Sequence, residues 1–303
     1  MLRKFLPTKQ TGWTAAVRNG DAIEVVRVCR SAGARPRVTA TRTLDAYTAN
    51  PAACLAGART RELAGGPFTF LLQQDEYQLL QIDTPDVPEA EQRNALRWQL
   101  KDMLHQSAED SVFDALPIAP PASSRGRPPS LVVAAARQTL APTVRAFQAA
   151  RLDLAAIDIP ELALRNLAVL HDTAPRGVAL LHFGASGGLV VVCHDGELVT
   201  SRRFDVTADQ LTHSDDLHST RFERIGLELQ RSLDNFDRQY GHVPLAKLLV
   251  SVPPCADSLI DFLASNLYIP VEPLDPGALV DDFENASGST LLALGAALRG
   301  PKP

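Results

Sequence analysis

No run in this chain is long and apolar enough to cross a bilayer. The longest, Leu131 to Ala136 and Leu291 to Leu298, fall well short of the ~20 residues a spanning helix needs. Cysteine is scarce: Cys29, Cys54, Cys193 and Cys255 lie far apart, without C-x-x-C spacing, and read as small core residues in a reducing compartment. Positive charge is not in excess either. Thirty Lys and Arg against 35 Asp and Glu leave a net charge of -5, so there is no global basic field and nucleic acid is not the expected partner. The start MLRKFLPTKQ is basic, but no apolar segment of roughly 7 to 15 residues with a cleavage site follows it, which argues against a secretory signal. The expectation is a cytoplasmic protein, with Leu2, Phe5 and Leu6 in a tail too short to hold a membrane surface by itself.

What is present suffices for a large core. With 303 residues at 45 % hydrophobic content, the length points to two domains of ordinary size. Three short β-type runs open the chain, Gly12 to Val17, Ile23 to Cys29 and Arg37 to Thr43, and Asn19-Gly20-Asp21 between the first two is a hairpin signal. Asn50-Pro51 caps a helix expected to run to Leu63. Strands Phe68 to Leu72 and Tyr77 to Ile82 precede a helix over Pro88 to Leu104. Leu96, Leu100, Met103 and Leu104 share one face of that helix. Trp98 lies roughly 200° from Leu96, so it either packs on a second part of the domain or lines a peptide groove. Residues 117 to 130, rich in Pro, Ser and Gly, read as a surface excursion. Strand Leu131 to Ala136, a helix to about Arg151, strand Ala156 to Ile159 and helix Glu161 to His171 follow.

The second half begins with GVALLHFGASGGLVVVCHDGELVTSRRFD, residues 177 to 205. It has the layout of a phosphate-binding strand-turn-strand, in which a small-residue turn lets backbone N–H groups reach phosphates. An acid opening such a turn would hold a magnesium shell, which needs oxygen ligands; here that position is His182. Downstream, Phe222, Ile225, Leu229 and Leu233 form the stripe of a long helix over Ser214 to Tyr240, ended by Gly241. Strand Leu248 to Val252, helix Asp257 to Asn266, strand Ile269 to Pro273 and helix Thr290 to Arg299 complete the chain. The two halves repeat one design.

Other chemistry is poorly supported. His213, Asp215, Asp216 and His218 crowd one segment, but the histidines are not spaced i, i+4, and Ser214 or Asp215 serves as a helix cap with acids in the first turn. Ser186 with His182 has neither an orienting acid nor a G-x-S-x-G elbow. Asp83, Asp86, Glu89 and Glu91 complement a helix dipole.

The order and spacing of PDVPEAEQRNALRWQLKDML (85 to 104), SLVVAAARQTLAPTVRAFQAARLDLAAIDIPELALRNL (130 to 167), the hairpin at 177 to 205, LELQRSLDNF (227 to 236) and LLALGAALR (291 to 299) resemble the PilM family of actin-like pilus-assembly proteins. The likeness spans nearly the whole chain and is greatest to the family's MSHA-biogenesis branch, MshI. It implies an α/β, actin-like, ribonuclease H-like duplicated fold with two lobes, residues 1–172 and 173–303. It also implies an insert over about 76–130 and a terminal helix at 290–299 packing back toward the first lobe. By resemblance, such a protein binds ATP and grips the cytoplasmic tail of a PilN-type (MshJ-type) inner-membrane protein, with a pilus motor ATPase complex as a further candidate partner. The implied peptide groove lies between the first subdomain and the insert, with Leu72, Tyr77 and Trp98 as candidate lining.

Departures from the family cluster on the nucleotide. Trp13 stands where the first phosphate turn is expected, His182 replaces an Asp although Gly184 and Ser186 match, and Pro253-Pro254 replace the glycines of an adenosine motif, removing an N–H donor. The stretch Val206 to Phe222 is also shorter than the family's. The expectation is a pseudo-ATPase without catalytic residues, metal or required cofactor, retaining at most weak Mg-ATP binding. An ATP-driven member of the same fold is the alternative.

Overall fold

The computed structural model describes residues 11–31, 33–63, 65–119, 128–171, 176–212, 218–253, 257–283 and 287–299. The chain enters as an antiparallel meander, β1 (Thr11–Asn19), β2 (Ala22–Arg30) and β3 (Arg37–Leu44). Gly20, at φ +61°, supplies the left-handed residue of the first turn. Helix α1 (Pro51–Ala56) begins where Asn50 accepts from the Ala53 N–H. It stops at Gly57 rather than running on to Leu63. Strand β4 (Phe68–Leu71) then returns parallel to β1.

Between β4 and its parallel neighbour the chain builds a separate unit: β5 (Gln78–Ile82), α2 (Glu89–Leu100), β6 (Ser111–Pro117) and β7 (Ser130–Ala136). These strands form an antiparallel sheet in the order β5-β7-β6. The insert therefore extends to Ala136, past the expected boundary near 130, because β7 is its central strand. Strand β6 is an element that the reading of the sequence passed over. Helix α2 is shorter than expected at its C-terminal end; Leu96 and Leu100 are buried and Met103, beyond it, is exposed.

The first lobe closes with α3 (Arg137–Ala149), β8 (Leu154–Asp158) and α4 (Pro160–Val169). Its sheet runs β3-β2-β1-β4-β8. The second lobe repeats the plan with β9 (Gly177–Gly184), β10 (Gly187–His194), β11 (Glu197–Phe204), α5 (Ala208–Thr212), α6 (His218–Tyr240), β12 (Leu245–Ser251), α7 (Asp257–Asn266) and β13 (Val271–Pro273). Its sheet runs β11-β10-β9-β12-β13, with the same antiparallel and parallel sequence of pairings. The chain ends on α8 (Gly288–Ala297).

Helices α4 and α8 lie between the two sheets. Leu164 and Leu167 from one and Leu291 and Leu294 from the other share a core with Val17, Val26 and Leu71 of the first sheet and Leu180, Leu189 and Leu249 of the second. The helices cross so closely that a Cβ on Gly295 would stand 2.3 Å from the Ala163 carbonyl oxygen. Asn166 donates to the Gly295 carbonyl at 2.9 Å across the same crossing. The outer faces are covered by α1 and α3 on the first sheet and by α6 and α7 on the second, with Phe222, Ile225, Leu229 and Leu233 buried. Among the described residues no helix is long and apolar enough to cross a membrane.

Candidate functional site

The duplicated plan brings two hairpin turns face to face. Asn19-Gly20 from the first lobe and Gly184 to Gly188 from the second line a cleft of about 230 Å³, together with Gln73, Gln74, His182, Arg203 and the start of α8, Ser287 to Ser289. Arg18 and Arg203 are its charged lining. Each is ion-paired, Arg18 with Glu76 and Arg203 with Glu161 at 2.7 Å. Neither acid lines the cleft, and among the described residues no carboxylate does.

His182 occupies the floor. It is 3 % exposed, its Nδ1 lies 3.3 Å from Ser251 Oγ on β12, and its Nε2 has no hydrogen-bond partner. Burial pushes its pKa down to about 4, because desolvation disfavours the imidazolium. Its hydroxyl partner is thus Ser251, not the Ser186 that a nucleophilic pairing would require.

The glycines of the turn divide by cause. A Cβ on Gly187 would stand 2.5 Å from the Phe204 carbonyl, and one on Gly188 2.7 Å from the Phe183 ring, so these two serve hairpin packing. Gly184 and Gly288 differ: a Cβ on either would come 3.5 Å from His182 Nε2. Both glycines thus pack around that buried nitrogen at ordinary contact distance.

Several predicted cleft residues lie elsewhere. Trp13 pairs with Val28 toward the far end of β1 from the turn and does not line the cleft; Arg299 sits over its ring at 5.8 Å. The first hairpin turn is Asn19-Gly20, and it is Val17 to Gly20, not Trp13, that reach the cleft from β1. Pro253 is half-buried beyond β12 and outside the lining. Pro254 lies outside the described residues, as do Cys255, His213 to Leu217 and the basic start. Among the described residues no cluster of His, Cys, Asp and Glu could hold a metal.

Beside the cleft, Tyr77 donates to Glu161 and accepts from Arg203, while Glu161 accepts from Arg203 at 2.7 Å. Glu161 is wholly buried. Burial and the neighbouring Glu161 carboxylate hold the Tyr77 phenol well above its usual range. Tyr77 therefore joins the insert's base to both lobes and does not line a groove.

A larger groove, about 670 Å³, lies on the other side of the insert. One wall is β6, of which Val112 to Leu116 all contribute, and Val133 and Ala135 of the central strand β7 add one face of the insert sheet behind that edge. Gln92, Arg93 and Leu96 of α2 flank it, and Leu72, Ile157, Asp158, Ile159, Leu162 and Arg299 form the opposite side. Both β6 and β8 are outermost strands of their sheets. Asp158 is buried and bonded by Arg299 at 2.6 Å; burial raises its pKa, with Arg299 opposing. Of the predicted groove residues only Leu72 is there. Trp98 is 76 % exposed on the outward side of α2, with Lys101 over its ring at 5.6 Å, so it neither packs inside the domain nor faces the groove. The sequence of this wall, SVFDALP at 111 to 117, pairs apolar residues instead of alternating them, so it lacks the period-2 signal of a half-buried strand.

Neither a family model nor a curated protein matches the sequence. Solved structures do. The chain is similar to a PilM–PilN type IV pilus biogenesis complex at 23 % identity and a TM-score of 0.71, covering 96 % of this chain and 98 % of that one. It is similar to the cytoplasmic domain of EpsL, an inner-membrane component of the type II secretion system of Vibrio cholerae, at 15 % identity and TM-score 0.51, covering 96 % and 97 %. A Bacteroides thetaiotaomicron protein of unknown function with an actin-like ATPase fold matches at 9 % identity and TM-score 0.51, covering 97 % and 99 %. The fold is therefore the actin-like ATPase fold.

Proposed function

We propose that this protein is a non-catalytic actin-like scaffold of a type IV, MSHA-like pilus assembly, at the cytoplasmic face of the inner membrane. It binds the extended cytoplasmic tail of a PilN-type (MshJ-type) membrane protein. The observation that carries the reading is the groove between the outer edges of β6 and β8. Edge strands present unpaired backbone N–H and C=O groups; an extended peptide adds a strand to them, and apolar pockets read alternate side chains. The structural likeness to a PilM–PilN complex and to a secretion-system domain supports the same reading.

The non-catalytic part is supported by the cleft. A magnesium nucleotide needs oxygen ligands for the metal, and the described lining offers an imidazole that burial keeps neutral, two ion-paired arginines and no carboxylate. Its volume of about 230 Å³ is also below the ~300–1,000 Å³ typical of small-molecule sites. These residues do not fit the group that the fold family implies. Amide hydrogen exchange on the intact protein tests the peptide reading. Adding a synthetic peptide of the partner's tail should slow exchange in Ser111–Pro117, and unchanged exchange there would remove the groove from the account.

A further inference from the structure

We propose, resting on the peptide reading of the groove, that Asp114 makes it selective for a basic segment: a Lys or Arg of the bound tail pairs with this carboxylate. The walls are mostly apolar, and the charged side chains among them are Arg93, Asp114, Asp158 and Arg299. Asp158 and Arg299 neutralise each other at 2.6 Å. Arg93 holds its guanidinium 5.9 Å from the centre of the Phe113 ring, on the side of β6 where Phe113 packs with Leu96 and Leu100 of α2. Successive side chains of a strand point to opposite faces, so Asp114 stands on the other face of β6, beside Val133 of β7. It is exposed, it lines the groove, and among the described residues no cation pairs with it.

The backbone of β6 points the same way. Arg137 donates to the Asp110 carbonyl at 2.8 Å and Ile118 to the Pro129 carbonyl at 2.9 Å. Hydrogen-bonded pairs alternate along an antiparallel ladder, and β6 pairs with β7 without a register shift. Val112, Asp114 and Leu116 therefore turn their N–H and C=O groups to β7, while Phe113, Ala115 and Pro117 turn theirs to the free edge. The Ala115 N–H is already bonded to the Asp114 carboxylate at 2.9 Å, and proline has no N–H. This stretch of edge thus presents more acceptors than donors, the Phe113 N–H being the donor left. Lys and Arg side chains are donors only, which matches such an edge. A tail strand that registers on Phe113 sets one of its side chains across from Asp114, at the spacing where opposite charges stabilise a strand pair. Cytoplasmic flanks of membrane spans carry an excess of Lys and Arg, and the net charge of -5 favours encounter with them. A charge on an edge strand also discourages pairing between copies, but that role needs no particular residue in a partner.

The test is a fluorescence-anisotropy titration of the PilN-type partner's tail peptide, and of copies with each Lys or Arg in turn changed to Glu. Each is titrated with the full chain as wild type, Asp114→Asn and Asp114→Lys. Asparagine keeps an acceptor for the Ala115 N–H, so that variant removes the charge alone. For the unmodified peptide, affinity should fall about threefold or more in Asp114→Asn and about tenfold or more in Asp114→Lys. Wild-type affinity should also weaken as salt rises. One Glu-substituted peptide should bind Asp114→Lys at least about tenfold more tightly than the unmodified peptide does, the signature of a direct pair. Equal affinity of the unmodified peptide for all three proteins overturns the proposal, as does a loss that no substituted peptide restores. Binding that Val112→Arg weakens but Asp114→Lys does not leaves the groove reading standing and removes the basic selectivity; no binding to the wild type removes both.

Discussion

The buried imidazole of His182 ties stability to pH in a way that can be worked out in advance. The unfolded chain takes up the imidazole proton as pH falls below about 6.5, whereas burial delays uptake in the folded protein until about pH 4. The unfolded state therefore binds more protons throughout that window, and stability falls as pH falls through it. With a folded value of about 4, linkage gives a loss of about 2 kcal/mol between pH 7 and pH 5 and about 3 kcal/mol by pH 4. Urea unfolding in phosphate-free buffers across this range measures it. Carboxylates and His171, which burial also holds below its usual value, contribute to the raw profile. The informative quantity is therefore the difference between wild type and His182→Gln, which keeps a polar group for Ser251 but does not titrate. The variant's absolute stability is immaterial; the slope is the readout. A wild-type-minus-variant difference that stays flat between pH 7 and pH 5 would refute the burial argument.

Other consequences are simpler to state. Arg203→Ala leaves the wholly buried Glu161 without its cationic partner and should cost about 3–5 kcal/mol in chemical unfolding. Tyr77→Phe removes only a hydroxyl from the same cluster and should cost about 1–2 kcal/mol; equal costs would contradict the assignment. Gly295→Ala places a methyl 2.3 Å from the Ala163 carbonyl and forces α8 off α4, for about 2–3 kcal/mol or more, read from the urea midpoint. A neutral result there would show that the crossing yields.

Much of the fold was legible because local chemistry and final structure agree. Asn19-Gly20 and Asp195-Gly196 mark hairpin turns, and in the second both residues adopt positive φ, 49° and 76°, as a type I′ turn requires. The stripe Phe222, Ile225, Leu229, Leu233 named the buried face of α6 before any contact was known. The C-terminal reach of α1 was overread because Gly57 ends it after six residues. Strand β6 was passed over because its apolar residues do not alternate, and it ends in proline against the Pro-rich excursion.

The sites were less legible, for reasons of geometry. Trp13 stands where the resemblance puts the first phosphate turn, but the turn at the other end of β1 makes the approach. The angle that sets Trp98 off the buried stripe implied a second neighbour for it, but that side of α2 faces outward and leaves it exposed. Tyr77 was read as lining, but its phenol is committed to Glu161 and Arg203, which come from α4 and β11. The groove wall, Asp158 and Arg299 come from segments that only tertiary packing brings together. His182 was singled out from sequence as a replaced acid. That its Nε2 is buried without a partner, with Gly288 packed beside it, is set by tertiary packing.

The most direct test of the central claim is a fluorescence-anisotropy titration of the PilN-type partner's tail peptide against the wild-type chain and Val112→Arg. Val112 stands half-exposed on the edge strand, so the substitution changes the groove with little effect on stability, within about 0.5 kcal/mol. The account predicts saturable binding to the wild type and an affinity at least about tenfold weaker in the variant. No binding at high micromolar peptide, or equal affinity for both proteins, would contradict it.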